Sequence, residues 1–327
     1  MCFALAGPTS AGAALALIVE KADEICPSPP PPSPPILRYE VEYIAGGATQ
    51  NSIRVAQWML QEPSTSYIGC VGNDEYAKTL RAAASAGGTN VCYMEKAGTP
   101  TGTCAVLITG DNRSLVANIS AANEYDIAHL KSTGMPLVEA ANFYYISGFF
   151  LTVPGGVPSI MEVAQHAAAE GKVFMMNLGA PFICQFFKDP LVAALPYCDI
   201  VFGNETEYAE LAKSLGWDTT DLKVIAKKVA AMQKSNGSRA RIAVCTHGAE
   251  PTIIATEGGV AEYPIAACTK EEIIDTNGAG DAWVGGFLAG LVKGKSIEEC
   301  TKAGAYAAKV IIGRSGCTYP ATPAYLL

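Results

Sequence analysis

The residues with the most chemistry per position are Ile274-Asp275-Thr276-Asn277-Gly278-Ala279-Gly280-Asp281-Ala282. Gly278-Ala279-Gly280 reads as a turn of small residues, and the run from Ala282 to Leu291 behind it is apolar enough for a buried helix. Small residues entering a helix leave backbone N–H groups unpaired and pointing outward. The positive end of the helix dipole adds to them, and the result is an anion site. Asp281 falls in the first turn of that helix. A carboxylate there repels an anion that is merely bound, but it suits a base that takes the proton of a hydroxyl attacking a phosphoryl group. The plainer alternative is an N-capped buried helix with a glycine-rich entry.

Other candidates fall at the ends of predicted elements. Residues 41–45 read as a strand, and Gly46-Gly47-Ala48-Thr49-Gln50-Asn51 leads from it into a helix with Ile53, Ala56, Met59 and Leu60 on one face. The two glycines let a flat ligand approach the backbone, and Asn51 can hydrogen-bond hydroxyls from the first turn. Residues 66–74 read as a strand with a turn. Residues 101–109 and 114–119 flank Gly110-Asp111-Asn112-Arg113 as a β-hairpin, with Leu115, Ala117 and Ile119 on one apolar face. The strand 143–147 ends at Gly148-Phe149-Phe150, where an aromatic can stack on a purine or belong to the core. The strand 173–178 brings Asn177 to its end.

The buried-type strand 198–203 runs into Asn204-Glu205-Thr206-Glu207, spaced as a capping box. That position is also where α/β sheets bind ligands. Residues 241–246 form a strand followed by His247-Gly248, with 252–256 as its hairpin partner. Ser296-Ile297-Glu298-Glu299 is a capping box for a helix running to about residue 312. Ala289 to Ser296 nearly spells a phosphate-binding loop, but Ala289 replaces the first glycine and the stretch sits at a helix end.

The stretch 275–281 resembles the D-T-x-G-A-G-D signature of the ribokinase-like carbohydrate kinases, the phosphofructokinase-B family. Glu272-Ile273-Ile274 and Asn277 resemble its adenosine-phosphorylating branch. From Tyr39 to the C-terminus the resemblance is close. It implies an α/β fold: a three-layer ribokinase-like sandwich with a mostly parallel central sheet and a small β-sheet lid. It implies transfer of the ATP γ-phosphoryl group to the 5′-hydroxyl of adenosine, giving AMP and ADP, with Asp281 as catalytic base. The implied anion hole is Asn277, Gly278, Ala279 and Gly280, with Arg113 reaching the phosphates from the lid.

The resemblance further implies substrate contacts from Gly46, Gly47, Asn51, Leu115, Ala117 and Phe150, the last preferred over Phe149. It implies ATP contacts from Asn177, Asn204, Thr246, Gly248 and Tyr319, with Asn204 and Glu207 orienting Mg2+ through water and room for a monovalent cation. The partners it implies are adenosine and ATP, for a monomer in the cytoplasm or nucleus. The alternatives are another nucleoside or sugar kinase of the same fold, or a nucleoside-binding protein with impaired catalysis.

The last alternative comes from the N-terminus. The family opens with a core strand and a G-N-P-x-x-D loop whose Asp grips the ribose hydroxyls. Here Ala6-Gly7-Pro8 only partly matches it, and Glu20, Asp23 and Glu24 are out of pattern. A second departure is Ala305, where members of that branch carry His beside the nucleotide. Residues 1–36 read as an atypical segment, Ala-rich and then Pro-rich at 27–35, the latter polyproline II or disordered. Residues 37–327 read as the kinase domain, its lid mainly from about 38–46 and 98–122.

The length suffices for one large α/β domain, or one with a small appendage. The 327 residues are 50% hydrophobic and 17% charged, with mean hydropathy +0.21, net charge −8 and pI about 5.0. The absence of a basic patch argues against nucleic acid as a partner. No apolar run is long and unbroken enough to span a membrane. The eleven Cys and three His show no disulfide-framework or metal-ligand spacing, which points to a reducing compartment.

Overall fold

The computed structural model describes residues 14–20, 41–109, 112–235 and 239–327, with the backbone alone at 14–20, 41, 107–109 and 112–114. The Pro-rich stretch, Asp23 and Glu24 lie outside the described residues, as do the side chains of Glu20 and Arg113.

The described residues form twelve strands: β1 (Ala14–Glu20), β2 (Val41–Gly46), β3 (Ser66–Gly72), β4 (Asn90–Lys96), β5 (Thr103–Thr109), β6 (Asn112–Asn118), β7 (Phe143–Ser147), β8 (Val173–Asn177), β9 (Ile200–Asn204), β10 (Ile242–His247), β11 (Glu250–Thr256) and β12 (Gly259–Tyr263). The main sheet has the order β12-β11-β10-β9-β8-β7. Strands β7 to β10 run parallel, and β11 and β12 are antiparallel additions. The sequences Phe-Tyr-Tyr-Ile-Ser, Val-Phe-Met-Met-Asn and Ile-Val-Phe-Gly-Asn are apolar without alternation because parallel strands are covered on both faces. β3 and β4 pair in parallel as a separate two-stranded sheet. Asp74 after β3 caps the helix Glu75–Ala86 and accepts both the N–H and the hydroxyl of Thr101, a structural task.

A four-stranded sheet, β2-β1-β5-β6, stands apart. β1 lies between β2 and β5, antiparallel to the first and parallel to the second. Part of the atypical N-terminal segment is therefore a strand of this small sheet. Its apolar Ala14-Leu15-Ala16-Leu17-Ile18-Val19 run suits an inner position that is paired on both edges.

The helix Ala279–Val292 packs between helices Ala48–Leu60 and Ile297–Ile312. Its glycines allow the contact. A Cβ on Gly285 would lie 2.5 Å from the Ser52 carbonyl, and one on Gly286 would lie 2.3 Å from the Ala303 carbonyl. Both obstacles are backbone, so neither can swing aside. Gly286→Ala is expected to cost about 1–3 kcal/mol, the usual cost of overpacking. Urea unfolding measures it, and an unchanged midpoint would contradict this packing. Among the described residues no helix is long and apolar enough to cross a membrane.

Candidate active site

The 275–281 turn is held from within by Asp275. This carboxylate is 2% exposed, and its Oδ1 accepts the backbone N–H of Asn277 at 2.9 Å and the Asn277 amide at 2.6 Å. Its Oδ2 accepts the Gly316 N–H at 3.0 Å, which ties the turn to the C-terminal loop. The expectation for Asn277 is corrected accordingly: its N–H is engaged by Asp275, so it shapes the turn instead of donating to an anion. Gly278 sits at φ 77, the left-handed region that favours glycine, and precedes the helix as its N-cap. The N–H groups of Gly278, Gly280 and Asp281 have no backbone acceptor among the described residues. They are the orphan donors that a helix start supplies.

Asp281 follows, half-buried. Its Oδ2 accepts the Asn51 amide at 3.0 Å across 230 positions of sequence. Asn51 is placed by the glycine turn after β2. Gly47 has φ 100, and its carbonyl accepts the Asn51 N–H at 2.8 Å. The Asn51 Oδ1 is buried and accepts no hydrogen bond among the described residues. Burial pushes the Asp281 carboxyl from 3.8 up to about 7; the Asn51 hydrogen bond opposes this, and the Glu207 charge adds to it.

Glu207 is brought close by the capping box of helix Glu205–Ser214. The Asn204 N–H and amide donate to its two oxygens at 3.0 and 3.1 Å. Its own carboxyl is also raised by burial to about 7. The capping reading of Asn204-x-x-Glu207 holds, and the cap places the Glu207 charge where it acts on Asp281.

Two cavities meet at the turn. A small one is lined by Ile44, Gly46, Asn51, Val106, Asn277 and Gly278. A larger one, about 420 Å³, is lined by Thr246, Gly248, Thr276, Ala279, Gly280, Trp283 and Ala305, among others. The backbone of 276–280 is the wall between them, with Asp281 at its helical end. Thr246 and Gly248 both line the larger cavity. Leu115 and Ala117 are exposed, and their β-partners are Val106 and Cys104. Directly paired residues share a face. Since Val106 lines the small cavity, Leu115 and Ala117 belong to the cavity-facing side of the small sheet.

Two further expectations are corrected. Phe150 is 1% exposed and packs edge-on against Tyr125, so its ring is part of the core. Phe149 is half-buried instead and meets the exposed Phe182 edge-on at 6.0 Å. Tyr319 stacks on Trp58 at 5.1 Å with the Arg54 guanidinium over its ring, and it lines neither cavity. Asn177 accepts the Gly148 N–H at 2.9 Å and so holds the exit of β7. Sequence reasoning missed Asp275, although it lies inside the signature, and it missed Val106 and Trp283.

The comparisons with known proteins agree with this architecture. Residues 12–324 match the model of the pfkB family carbohydrate kinases. Adenosine kinase 2 of Arabidopsis thaliana is 56% identical over 288 residues, covering 88% of this chain and 83% of that protein. The adenosine kinase of Dictyostelium discoideum is 45% identical over 285 residues, covering 86% and 83%. Among solved structures, Anopheles gambiae adenosine kinase in complex with P1,P4-di(adenosine-5) tetraphosphate superposes with TM-score 0.83 at 50% identity, covering 87% of this chain and 85% of that one. The chain belongs to the pfkB family of carbohydrate kinases, and its fold is ribokinase-like.

Proposed function

We propose that this chain transfers the γ-phosphoryl group of ATP to the 5′-hydroxyl of adenosine. The observation that carries the reading is the 276–280 turn, which lines a cavity on each side, leaves the Gly278 and Gly280 N–H groups without a backbone acceptor among the described residues, and has one carboxylate at its end. In this reading the 420 Å³ cavity takes the nucleotide, and the side with Gly46, Asn51 and Val106 takes the nucleoside. Asp281 removes the hydroxyl proton. The N–H groups of Gly278, Gly280 and Asp281 balance charge on the phosphoryl group in flight. Asn51 fixes the Asp281 carboxylate.

The small sheet is the lid. It sets Leu115 and Ala117 over the nucleoside and excludes water, a competing acceptor. Arg113 is assigned to the same lid. Phe149 and Phe182 offer the aromatic surface that Phe150 cannot. A ligand with two adenosines joined by four phosphates, as bound by the Anopheles relative, suits nucleoside sites on either side of a phosphate-binding turn.

Mg2+ fits the donor set only indirectly. Among the described residues no three metal-ligating side chains cluster, and both Glu207 oxygens are engaged by Asn204. Asn204 and Glu207 would reach the ion through water while the ATP phosphates hold it. Once bound, Mg2+ supplies charge neutralisation on those phosphates.

The test is ADP release with Mg-ATP and adenosine, with ribose and inosine as competitors. Saturable turnover at micromolar adenosine supports the reading. Preference for ribose or inosine would change the substrate and keep the chemistry. Binding of adenosine by calorimetry without turnover would favour the nucleoside-binding alternative.

The pH profile of kcat/KM gives a sharper result. Asp281 must be ionised to accept a proton, so with its carboxyl raised to about 7 the rate falls as pH drops below about 7. Glu207→Gln should retain this acid limb and move it to lower pH, because the charge that helps raise Asp281 is gone. A limb at pH 4 in the parent protein would contradict the burial argument.

A further inference from the structure

Strand β2 of the small sheet is held firmly at one end and loosely at the other. Its end at the Gly46-Gly47 turn is pinned by side chains of helix Ala48–Leu60. The Gln50 amide donates to the Gly46 carbonyl at 3.0 Å, and the Gln50 Oε1 accepts the Tyr93 hydroxyl at 2.5 Å. The Arg54 guanidinium donates to the Ala45 carbonyl at 3.3 Å. Gln50, Arg54 and Tyr93 are all buried, so breaking these bonds leaves polar groups without water to replace them. Toward the start of the strand the ties are looser. Tyr43 is exposed and stacks on Tyr76 at 5.7 Å. Glu42 is exposed too, and its Oε2 accepts the Ser315 hydroxyl at 2.6 Å. Water competes for both partners of that bond, so it opens at little cost.

Ser315 belongs to the C-terminal loop that braces the 276–280 turn. The N–H of its neighbour Gly316 donates to Asp275 Oδ2, and Asp275 Oδ1 holds Asn277. The loop also touches the lid strand directly. Gly316 sits at φ 56, and a Cβ there would lie 2.7 Å from Ile44 Cδ1. On its other side the loop touches the turn, since a Cβ on Gly278 would lie 3.4 Å from Cys317 Cβ. Ile44, Gly278, Gly316 and Cys317 together line the small cavity. The 315–317 backbone is thus shared between the lid strand and the turn.

We propose that Glu42 and Ser315 are positioning residues for phosphoryl transfer: their hydrogen bond is a releasable latch that passes the position of the lid strand, through Gly316 and Asp275, to the 276–280 turn. With the latch made, Gly316 stays seated on Asp275 and the turn keeps its shape. With the latch open, β2 pivots about its pinned end, Ile44 draws away from Gly316, and the brace on the turn loosens. Neither Glu42 nor Ser315 lines either cavity, so the pair acts through the turn and not on a bound molecule. The effect on transfer rests on reading the turn as the phosphate site; the mechanical link stands apart from that reading.

The experiment compares the parent chain with Glu42→Ala, Ser315→Ala, the double variant and Ser315→Thr, by amide hydrogen exchange with mass spectrometry and by steady-state kinetics. Either alanine is expected to speed exchange about threefold or more in peptides covering 275–281, with peptides of β8 and β9 unchanged. Each should lower kcat by about three- to tenfold and leave the KM for ATP within about twofold. The double variant should match either single one, because the same bond is lost in all three. Ser315→Thr keeps the hydroxyl and should restore the parent values. Unchanged exchange at 275–281 in Glu42→Ala would overturn the link, since Glu42 lies in the lid strand and reaches the turn only through the loop. An equal rise in β8 and β9 would overturn it as well, by marking a general loss of stability. Faster exchange at the turn with an unchanged kcat would overturn the positioning role, and additive effects in the double variant would overturn the latch. A parent protein without turnover removes the kinase reading, while the exchange pattern still judges the link.

Discussion

Asp281→Asn lowers turnover by about 10²–10⁴-fold, the usual cost of removing a positioned general base, and leaves ATP affinity close to that of the parent. The side chain keeps its size, and Gly278 and Gly280 keep their N–H groups, so the phosphate wall survives while the proton acceptor is lost. The same variant is expected to melt at higher temperature than the parent at pH 8. The folded-state carboxyl is raised from 3.8 to about 7, mainly by burial. A raised carboxyl means that the folded protein binds a proton more tightly than the unfolded chain does. Stability is therefore lost as pH rises from about 4 through 7, and the penalty is complete above that. Asparagine does not ionise and escapes the penalty, so the difference in melting temperature should shrink toward pH 4. Calorimetric scans at pH 5 and pH 8, with a coupled assay, measure both halves. A variant that turns over near the parent rate would remove the base assignment.

The second large effect falls on a residue that need not touch substrate. Asp275→Ala removes the acceptor of the Asn277 N–H, the Asn277 amide and the Gly316 N–H at a site 2% exposed. Hydrogen bonds to a buried charge contribute about 1.5–3 kcal/mol each, and donors left unpaired add a penalty. The expected loss is about 3–5 kcal/mol, the range for breaking a buried charged interaction from one side. Turnover should also fall, because the turn that aims the Gly278 and Gly280 N–H groups loses its internal brace. The loss should appear in kcat more than in the KM for adenosine. Chemical unfolding and steady-state kinetics test this together, and an Ala variant as stable as the parent would show that the brace is not needed.

Much of this was legible in the sequence because its causes are local. The small-residue turn and carboxylate of 278–281, the apolar parallel strands, and the capping boxes at 204–207 and 296–299 are set by neighbours within a few positions. The misreadings share another origin. Phe149 and Phe150 are adjacent at a strand end, and which ring turns inward depends on Tyr125 and Phe182, which lie far off in the chain. Asn51 reads as a hydroxyl ligand from its helix position, yet its strongest visible partner is Asp281, 230 residues on. Tyr319 is drawn to Trp58 by stacking that no sequence spacing announces. The alanines of the last helix carry no chemistry of their own, and they shape the larger cavity through what they leave empty. The 14–20 run is apolar and short, and only its pairing with β2 and β5 reveals a strand.

The single wall between the two cavities has a thermodynamic consequence. One backbone segment, five residues long, presents Gly278 to one side and Ala279 and Gly280 to the other. A molecule that steadies this segment from either side removes freedom that the second molecule would otherwise have to remove. Two molecules that both do so have linked affinities, and linkage is reciprocal: the factor by which the first alters the affinity of the second is the factor by which the second alters that of the first. Order of addition is thus a kinetic matter, and the ternary complex has one free energy by either route.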